Sequence, residues 1–592
     1  MKKLLLFICS LLPVLSIIIP SPVLADSKTL PTGDSYEQIG QKIEDFYKKN
    51  EKTSAAMETA VFDTNGTIYR GNFGYIDKEK QTKADDSTIF EWGSITKLTV
   101  WISVMQLWEE GKIDLETDIK NYLPKDFLKH LNFDKPITML DLMNHQAGFD
   151  EQNTYLKGDK SIEELMKTRQ PNQVFEPGTT TAYSNFGTGL AAYIVERISG
   201  QSFSDYTHEH IFKPLEMEKT AILPDLSDNT YVYKKHKEVK SYDANGNYKK
   251  DSDFELSLYP VGRATGTLDD LQKFAQALLK KRELFKHPET WKTLYTASST
   301  YPGTDIPLNA HGFWYQEYGV RVIGHGGNSG GFSSYILLDL ESGIGQVIMT
   351  NQFQEKIYNY KMPELVFGPK KSPNKQSYAK FHPGYYRNAR TFNSGPFSFL
   401  RTIPGYTYYI NEKADAAQLN RNFWVASESQ GQEKITIVYG DALRQSNWDL
   451  IKDYGMLLLA GLAILFSAIS LLTNAGIDLY RLILKKSQKK TSLAWKIWIY
   501  LTNAAILSIP FNLFNIFTKL MNAADADYNW NFITLAILAL LLAIGSLYPF
   551  YLKNKEKWSK SKLFITSIAS LSSLIMVANI LYWSLYQWWA AY

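Results

Sequence analysis

Four long apolar stretches near the C-terminus constrain the fold of this chain more than any other feature. They run over residues 454–484, 493–517, 530–552 and 563–586 of a chain of 592 residues. Each is long enough to cross the roughly 30 Å hydrocarbon core of a bilayer as a helix. The sequence therefore predicts a membrane domain with four transmembrane helices over 451–592.

The connections between these stretches differ in charge. The first and third connections, 485–490 and 553–560, are rich in lysine, whereas the second, 524–527, is acidic. Because lysine-rich loops stay in the cytoplasm, this pattern predicts that residues 26–450 and the C-terminus lie outside a bacterial cell membrane. The stretches contain almost no charge, which favours an anchor or a docking partner over an ion path. Their protein partner is left open.

The N-terminus has the pattern of a secretory signal peptide. Two lysines precede an apolar run over 4–19, and small residues occupy 21–25. We predict a signal peptide over 1–25, with an uncleaved anchor as the alternative. The single cysteine, Cys9, lies inside it, so the mature chain has no thiol nucleophile. The net charge of only +4 gives no basic excess that would indicate a nucleic-acid partner.

Strand patterns stand at both ends of the region 26–368, with helical patterns between them. The predicted elements are a helix at 36–50, strands at 55–62, 67–75, 320–324, 333–339 and 344–351, and short helices at 115–126 and 138–148. This arrangement predicts an α+β domain whose sheet joins its two ends. A linker over 369–378 and a small β module, beginning at 384, fill the region 369–450.

A serine and a lysine three residues apart are the first candidates for chemistry. Ser94 precedes an apolar pattern over 99–110 that predicts a buried helix, ended by Gly111. Residues three apart share a helix face, so we expect Lys97 one turn from the Ser94 hydroxyl. A serine beside an amine, at the electropositive end of a helix, is an activated nucleophile. A helix cap followed by a solvated lysine has the same spacing.

A second stretch places Tyr183 and Asn185 between a Pro-Gly turn at 177–178 and an apolar helical pattern at 186–198. A tyrosine in that turn can reach into a cleft and act as a general base, with a pKa near 10 in its unperturbed state. An ordinary amphipathic tyrosine is the alternative.

A third stretch, 324–331, contains five glycines in eight residues. Such a strand lets another group approach its backbone closely, and a substrate laid along the strand edge is one such group. A glycine-rich bend that merely exposes His325 is the alternative.

In this order, the three stretches resemble the class C β-lactamase and DD-peptidase-like branch of the serine penicillin-recognising family. The related class A motifs are Ser-x-x-Lys, Ser-Asp-Asn and Lys-Thr-Gly. Here Tyr183 to Asn185 resembles the Tyr-x-Asn version, and His325 to Gly327 stands where Lys-Thr-Gly would be. The resemblance covers roughly residues 35–365 and implies a class C β-lactamase-like fold over 26–368.

The resemblance also implies a mechanism and its residues. Ser94 would attack a carbonyl to form an acyl-enzyme, and Lys97 and Tyr183 would share the role of base. The backbone N–H groups of Ser94 and Asn328 match the family's oxyanion hole. His145 is expected to be structural, and no metal or cofactor is implied. The substrate-binding positions are Asn185, Arg263, His325, Gly327 and Asn328.

The third motif departs from the family pattern. His325 lacks the fixed charge of the usual lysine, which weakens the expectation of penicillin or D-Ala-D-Ala recognition and leaves esterase or peptidase chemistry open. Arg263 lies in a segment that often lines this family's cleft, and we expect it to replace the missing cation.

Taken together, the sequence predicts a membrane-anchored, extracytoplasmic serine hydrolase. Its substrate would be a small molecule or peptide, with cell-wall-derived material among the candidates. A prodrug-activating D-amino-acid peptidase is an alternative, since its order of domains is similar. A catalytically idle binding or sensor protein is a third reading, against which the intact set of Ser94, Lys97 and Tyr183 argues.

Overall fold

The computed structural model describes residues 28–590 apart from several internal stretches. Those stretches are 152–159, 250–255, 372–381, 412–422, residue 430, 485–492, 522–527 and 554–557. The predicted signal peptide, most of the predicted linker and much of the three charged connections therefore lie outside the described residues.

The region 28–371, called the α+β region here, mixes helices with antiparallel strands. Its helices are α1 (Tyr36–Asn50), α2 (Lys97–Glu109), α3 (Met139–Met143), α4 (Ile162–Thr168), α5 (Asn185–Ser199), α6 (Phe203–Thr207), α7 (Thr230–His236), α8 (Leu268–Lys280), α9 (Pro288–Tyr295), α10 (Tyr358–Lys361) and α11 (Glu364–Phe367). Its strands are β1 (Ala56–Asp63), β2 (Thr67–Asp77), β3 (Thr82–Lys83), β4 (Phe90–Glu91), β5 (Thr220–Ala221), β6 (Thr265–Gly266), β7 (Ser299–Thr300), β8 (Pro307–Ala310), β9 (Phe313–Glu317), β10 (Arg321–Asn328), β11 (Ser333–Asp339) and β12 (Ile344–Thr350).

Nine of these strands form one antiparallel sheet, in the order β3-β2-β1-β12-β11-β10-β9-β8-β7. The two ends of the region meet at its centre, where Met57 of β1 pairs with Thr350 of β12. This confirms the predicted α+β class and the joining of the two ends. A small three-stranded sheet, β4-β6-β5, lies beside the start of α2.

Both faces of the large sheet are covered, because side chains of a strand alternate between its faces. Ala60 and Phe62 of β1 belong to the core that contains α2, α5 and α8. Met57 and Val61 belong to a second core with α1 and α11. Helix α2 is buried almost all round, as its continuous apolar sequence requires. It is therefore a rigid support for the residues at its N-terminus.

The β module, defined here as residues 384–444, is a five-stranded antiparallel sheet in the order β14-β13-β17-β16-β15. Its strands are β13 (Gly384–Asn388), β14 (Thr407–Ile410), β15 (Val425–Ser429), β16 (Gln432–Ile437) and β17 (Gly440–Arg444). The module contacts the α+β region through Asp150, whose carboxylate accepts hydrogen bonds from the N–H groups of Asn393 and Ser394 at 3.0 and 2.8 Å. It is thus packed against the larger region.

Four helices follow the module, each long and apolar enough to cross a membrane. They are α12 (Asn447–Ile483), α13 (Leu493–Met521), α14 (Asn529–Lys553) and α15 (Lys560–Tyr582). The four predicted stretches are confirmed as helices. The first begins earlier than predicted because Ser446 caps it, its hydroxyl accepting a hydrogen bond from the N–H of Asp449 at 3.1 Å.

The local predictions were mixed in accuracy. Helix α1 and the β1–β2 hairpin are confirmed almost residue for residue. The short helices predicted at 115–126 and 138–148 were wrong in length, since the structure has a 3₁₀ turn at Ile119–Tyr122 and the five-residue α3. A positive φ of 55° at His145 stops the chain from continuing as a helix there.

Candidate active site

Ser94 and Lys97 meet at the start of α2, as the spacing predicted. Ser94 lies in a 3₁₀ turn, Gly93–Thr96, that leads directly into the helix. Nζ of Lys97 donates to Oγ of Ser94 at 3.0 Å and to the carbonyl oxygen of Val261 at 2.5 Å. Two acceptors at these distances fix the amine beside the hydroxyl.

The environment of Lys97 favours the neutral amine. Its side chain is fully buried, and burial lowers the pKa of Lys97 well below its usual value. The positive charge of Arg390 lowers it further, while Glu151 opposes this effect. A neutral amine 3.0 Å from a hydroxyl oxygen is positioned to accept the hydroxyl proton.

Two glycines allow strand β10 to approach the serine turn closely. Gly93 has a φ of 53°, and a Cβ on it would come within 2.5 Å of the backbone nitrogen of Asn328. A Cβ on Gly327 would come within 1.9 Å of the carbonyl oxygen of Trp92. Both positions exclude any larger residue. This packing brings the backbone of Asn328 against the residue that precedes Ser94.

Tyr183 lies over Lys97, as the second motif predicted. The Lys97 amine is 5.1 Å from the centroid of the Tyr183 ring, and that ring is 7% exposed. Asn185 is buried at the first residue of α5, where Ser184 caps the helix by accepting from the N–H of Gly187 at 3.0 Å. The cap fixes the turn that carries both motif residues.

The ring of His145, a residue predicted to be structural, packs against the ring of Tyr183. The two rings are 4.3 Å apart at their centroids, and the His145 ring also stacks on Trp314 at 5.8 Å. Nδ1 of His145 accepts a hydrogen bond from the N–H of Ser184 at 3.1 Å. His145 therefore positions Tyr183.

His325 is buried and neutral. Its Nδ1 donates to the carbonyl oxygen of Gly326 at 2.6 Å, and its side chain is almost fully enclosed. Burial, with a smaller contribution from Lys97, lowers the pKa of His325 to about 3. The third motif therefore supplies no positive charge to the cleft at neutral pH.

Comparison with known proteins identifies a family for most of the α+β region. The family model described as Beta-lactamase matches residues 41–365, more than half of the chain. The chain belongs to the Beta-lactamase family. The matched range contains Ser94, Lys97, Tyr183 and His325, and it ends before the β module.

Relatives outline how far the similarity extends. Protein flp of Staphylococcus aureus (strain MW2) is 24% identical over 345 residues, which cover 57% of this chain and 66% of that protein. The chain thus spans just under two thirds of that relative's length. PbpX of Bacillus subtilis (strain 168), named after the penicillin-binding proteins, is 26% identical over 347 residues, 55% of this chain and 80% of PbpX.

Two solved structures are also similar. An octameric penicillin-binding protein homologue from Pyrococcus abyssi has a TM-score of 0.47 at 18% identity, covering 69% of this chain and 99% of its own. FmtA from Staphylococcus aureus has a TM-score of 0.46 at 19% identity, covering 58% of this chain and 91% of its own.

Arg263 has a structural position in this Beta-lactamase family member. Its Nη1 donates to Glu91 at 2.8 Å, its Nε donates to the carbonyl oxygen of Pro224 at 2.8 Å, and its side chain is 5% exposed. Burial raises the pKa of Glu91, but Arg263 and His236 hold it at about 2. The charge of Arg263 is therefore neutralised within a buried pair, and the expectation that Arg263 replaces the missing cation has no support in this arrangement.

Sequence reasoning missed two residues that the β module brings to the site. The guanidinium carbon of Arg390 is 4.9 Å from the centroid of the Tyr183 ring, and the ring of Tyr439 is 6.2 Å from it. Both follow the matched family range, so no motif marked them. An arginine in an aromatic-rich stretch after a predicted linker was the only local signal for Arg390.

Proposed function

We propose that this chain is a serine hydrolase that cleaves an ester or amide through an acyl-enzyme on Ser94. One observation carries this proposal: the buried Lys97 amine lies 3.0 Å from Oγ of Ser94. Membership of the Beta-lactamase family supports serine-hydrolase chemistry in general. A protein that only binds has no need for a buried amine at that distance.

In the acylation step, Lys97 accepts the proton of the Ser94 hydroxyl as Oγ attacks the substrate carbonyl carbon. A covalent bond forms between Oγ and that carbon. The former carbonyl oxygen of the substrate then carries the negative charge of the tetrahedral intermediate. Tyr183 stands over the amine and relays the proton to the leaving group, which departs as an alcohol or amine. Water then attacks the acyl-enzyme ester and gives a proton to Lys97 and Tyr183. The bond between Oγ and the acyl carbon breaks, the acyl group leaves as a carboxylic acid, and the proton taken from water passes to Oγ of Ser94.

The backbone N–H groups of Ser94 and Asn328 would stabilise the developing negative charge. Gly93 lets these two backbones lie side by side, since a Cβ there would meet the nitrogen of Asn328 at 2.5 Å. Preorganised donors of this kind contribute about 2.7–4 kcal/mol each to transition-state stabilisation. Asn185 is assigned to the substrate amide, as the family resemblance implies.

The direct test is covalent labelling of the full chain in detergent with a fluorescent fluorophosphonate, then with a fluorescent penicillin. We expect fluorophosphonate labelling of the wild type and none of Ser94→Ala. The penicillin reports on whether the cleft has a counter-ion for its carboxylate, a charge that neutral His325 does not supply. An unlabelled but folded wild type would contradict the proposal and favour an idle binding protein.

We further propose that the α+β region and the β module lie outside the cell, held to the membrane by α12–α15. The charge difference between the connecting loops supports this orientation. Cysteines introduced at Ser559 and Asn522 test it in intact cells with an impermeant thiol reagent. Reaction at position 522 alone is expected, and reaction at 559 alone would reverse the assignment.

A further inference from the structure

The edge of strand β10 at the cleft is covered by the β module. Strand β9 pairs with β10 only from Arg321 to Gly324, whereas β11 pairs with it as far as Asn328. Beyond Gly324, the N–H of Gly326 donates to the hydroxyl of Tyr439 at 3.3 Å. A sheet edge of this kind is where an extended peptide adds as a further strand. Here a side chain of the same protein occupies it.

Tyr439 reaches this edge from a turn with an unusual backbone. It is the second residue of the two-residue turn between Ile437 and Gly440, and its φ is 74°. Glycine or asparagine is the ordinary residue at a turn position with positive φ. A bulky side chain in this conformation is strained, and strain is characteristically retained at functional sites. The tyrosine ring packs on Trp314 at 4.9 Å and on His325 at 5.8 Å.

The hairpin that carries Tyr439 is bonded directly to the segment that carries Tyr183. The N–H of Asp441 donates to the carbonyl oxygen of Thr181 at 2.8 Å. The side chain of Lys434 donates to Asp441 at 2.8 Å and to the carbonyl oxygen of Thr179 at 2.7 Å. These buried hydrogen bonds hold the hairpin turn that carries Tyr439 in one position relative to Tyr183.

Arg390 brings a positive charge to the same side of the cleft. Its guanidinium carbon is 4.9 Å from the Tyr183 ring centroid, and its Nε donates to Glu151. The bond to Glu151 orients the planar guanidinium group. The Arg390 side chain is 39% exposed, in contrast to the buried Arg263 at 5%. Arginine is suited to binding a carboxylate because its donors match the two oxygens.

Building on the proposed function, we propose that Arg390 and Tyr439 determine the substrate specificity of the site. The side chain of Tyr439 blocks the edge of β10 and so limits the length of the substrate there. Arg390 binds a carboxylate next to the scissile bond. The preferred substrate is then a short acyl ester or acyl amide with a free carboxylate on that side. An extended chain is excluded at the same position.

The charge is tested on the full-length protein with two substrates that differ only in a terminal carboxylate or its carboxamide. We expect wild type to prefer the carboxylate by roughly tenfold or more in kcat/KM, as loss of a charge-assisted hydrogen bond implies. Arg390→Ala should abolish the preference, and Arg390→Lys should retain most of it. Arg444→Ala, which removes an exposed arginine from the same module, is the matched control. An unchanged preference in Arg390→Ala overturns the assignment of Arg390.

The edge is tested with substrates lengthened by one and two residues beyond the carboxylate side. We expect Tyr439→Ala to raise kcat/KM for the lengthened substrates at least tenfold relative to the short one. Tyr439→Phe keeps the ring and should behave as wild type. Tyr409→Ala, at an exposed tyrosine of the same module, controls for a general loss of packing. Equal use of all lengths by wild type would overturn the assignment of Tyr439.

These outcomes separate the two proposals. A wild type that is labelled by fluorophosphonate but shows neither preference retains the proposed function and loses the specificity assignment. A folded wild type that is not labelled at all loses both. A thermal unfolding midpoint close to that of wild type shows that Arg390→Ala and Tyr439→Ala each remain folded.

Discussion

The cleft has two walls, which differ in their origin and in the contacts that hold them: a core wall formed by Ser94, Lys97 and His325, and a module wall formed by Arg390 and Tyr439. Ser94, Lys97 and His325 belong to the core of the α+β region, at the point where buried α2 and strand β10 approach each other. Arg390 and Tyr439 come from the β module and reach the cleft over hydrogen bonds and ring contacts. The residues proposed for the chemistry thus lie in the core, whereas the residues proposed for selectivity come from a separate sheet.

The two arginines near the cleft show the same division. Each is paired with a glutamate, Arg263 with Glu91 and Arg390 with Glu151. The first pair is buried and ties the strand before Ser94 to the segment of β6. The second lies at the rim with its arginine partly exposed. Burial, and not the residue type, separates the structural Arg263 from Arg390, the arginine proposed to bind a substrate.

The largest expected effect comes from breaking the core wall. Ser94→Ala should remove all fluorophosphonate labelling, because Oγ of Ser94 is the atom proposed to attack phosphorus and displace fluoride. Lys97→Ala should slow acylation by about a hundredfold or more, as loss of a general base does. Stopped-flow labelling of the full chain measures both rates. Labelling that persists in Ser94→Ala would place the nucleophile elsewhere.

The second largest effect is expected from breaking the contact between the β module and α12. The carboxylate of Asp453 accepts hydrogen bonds from Arg387 at 2.7 Å, Arg401 at 2.7 Å and Tyr582 at 2.6 Å. Asp453→Asn leaves two guanidinium groups without their counter-charge, which costs about 3–5 kcal/mol for a buried pair. We expect faster hydrogen exchange in the β module and a weaker carboxylate preference, with acylation of a neutral ester retained.

The exposed carboxylate of Asp449, one turn earlier in α12, provides the control for this joint. Asp449→Asn should leave both readouts near wild type, since its partner Lys452 is solvated. If Asp453→Asn also abolished acylation of the neutral ester, acylation would depend on the position of the β module, and the proposed division between the two walls would be wrong.

The third prediction compares the two arginines directly. Arg263→Ala removes one of the two charge partners of buried Glu91 and should lower the thermal unfolding midpoint of the full chain while the carboxylate-to-carboxamide ratio stays unchanged. Arg390→Ala should do the reverse, lowering that ratio roughly tenfold with little change in the midpoint. A ratio that falls in Arg263→Ala would assign the cation role to the buried pair.

The smallest expected effect is a shift in pH dependence. Because burial holds the folded pKa of Lys97 well below its ordinary value, kcat/KM should rise with pH through that lowered pKa and level off before the pH reaches the ordinary pKa of a lysine. Arg390→Ala removes a positive charge, so the rising limb should move to higher pH. His325 has a pKa of about 3 and stays neutral above pH 5, so His325→Gln should not move the limb.

The positions of the candidate catalytic motifs were predictable because their geometry is local. Ser94 and Lys97 are one helical turn apart, so the apolar pattern after them placed both at the start of α2. The second and third motifs followed from turn and glycine signals, and the family resemblance put them in one site. The role of Arg263 was not predictable, because its partner Glu91 is distant in sequence and only burial shows that they pair.

The sequence by itself determined the α+β class, the four apolar helices and the residues proposed to carry the chemistry, because periodicity, apolar length and short motifs are local properties. Only the tertiary structure decided which residues of the β module face the cleft. Tyr439 meets Gly326 across more than a hundred residues of chain, and Arg390 meets Tyr183 across more than two hundred. Such contacts depend on how two separately folded sheets pack, and that packing leaves no periodic signal in either segment.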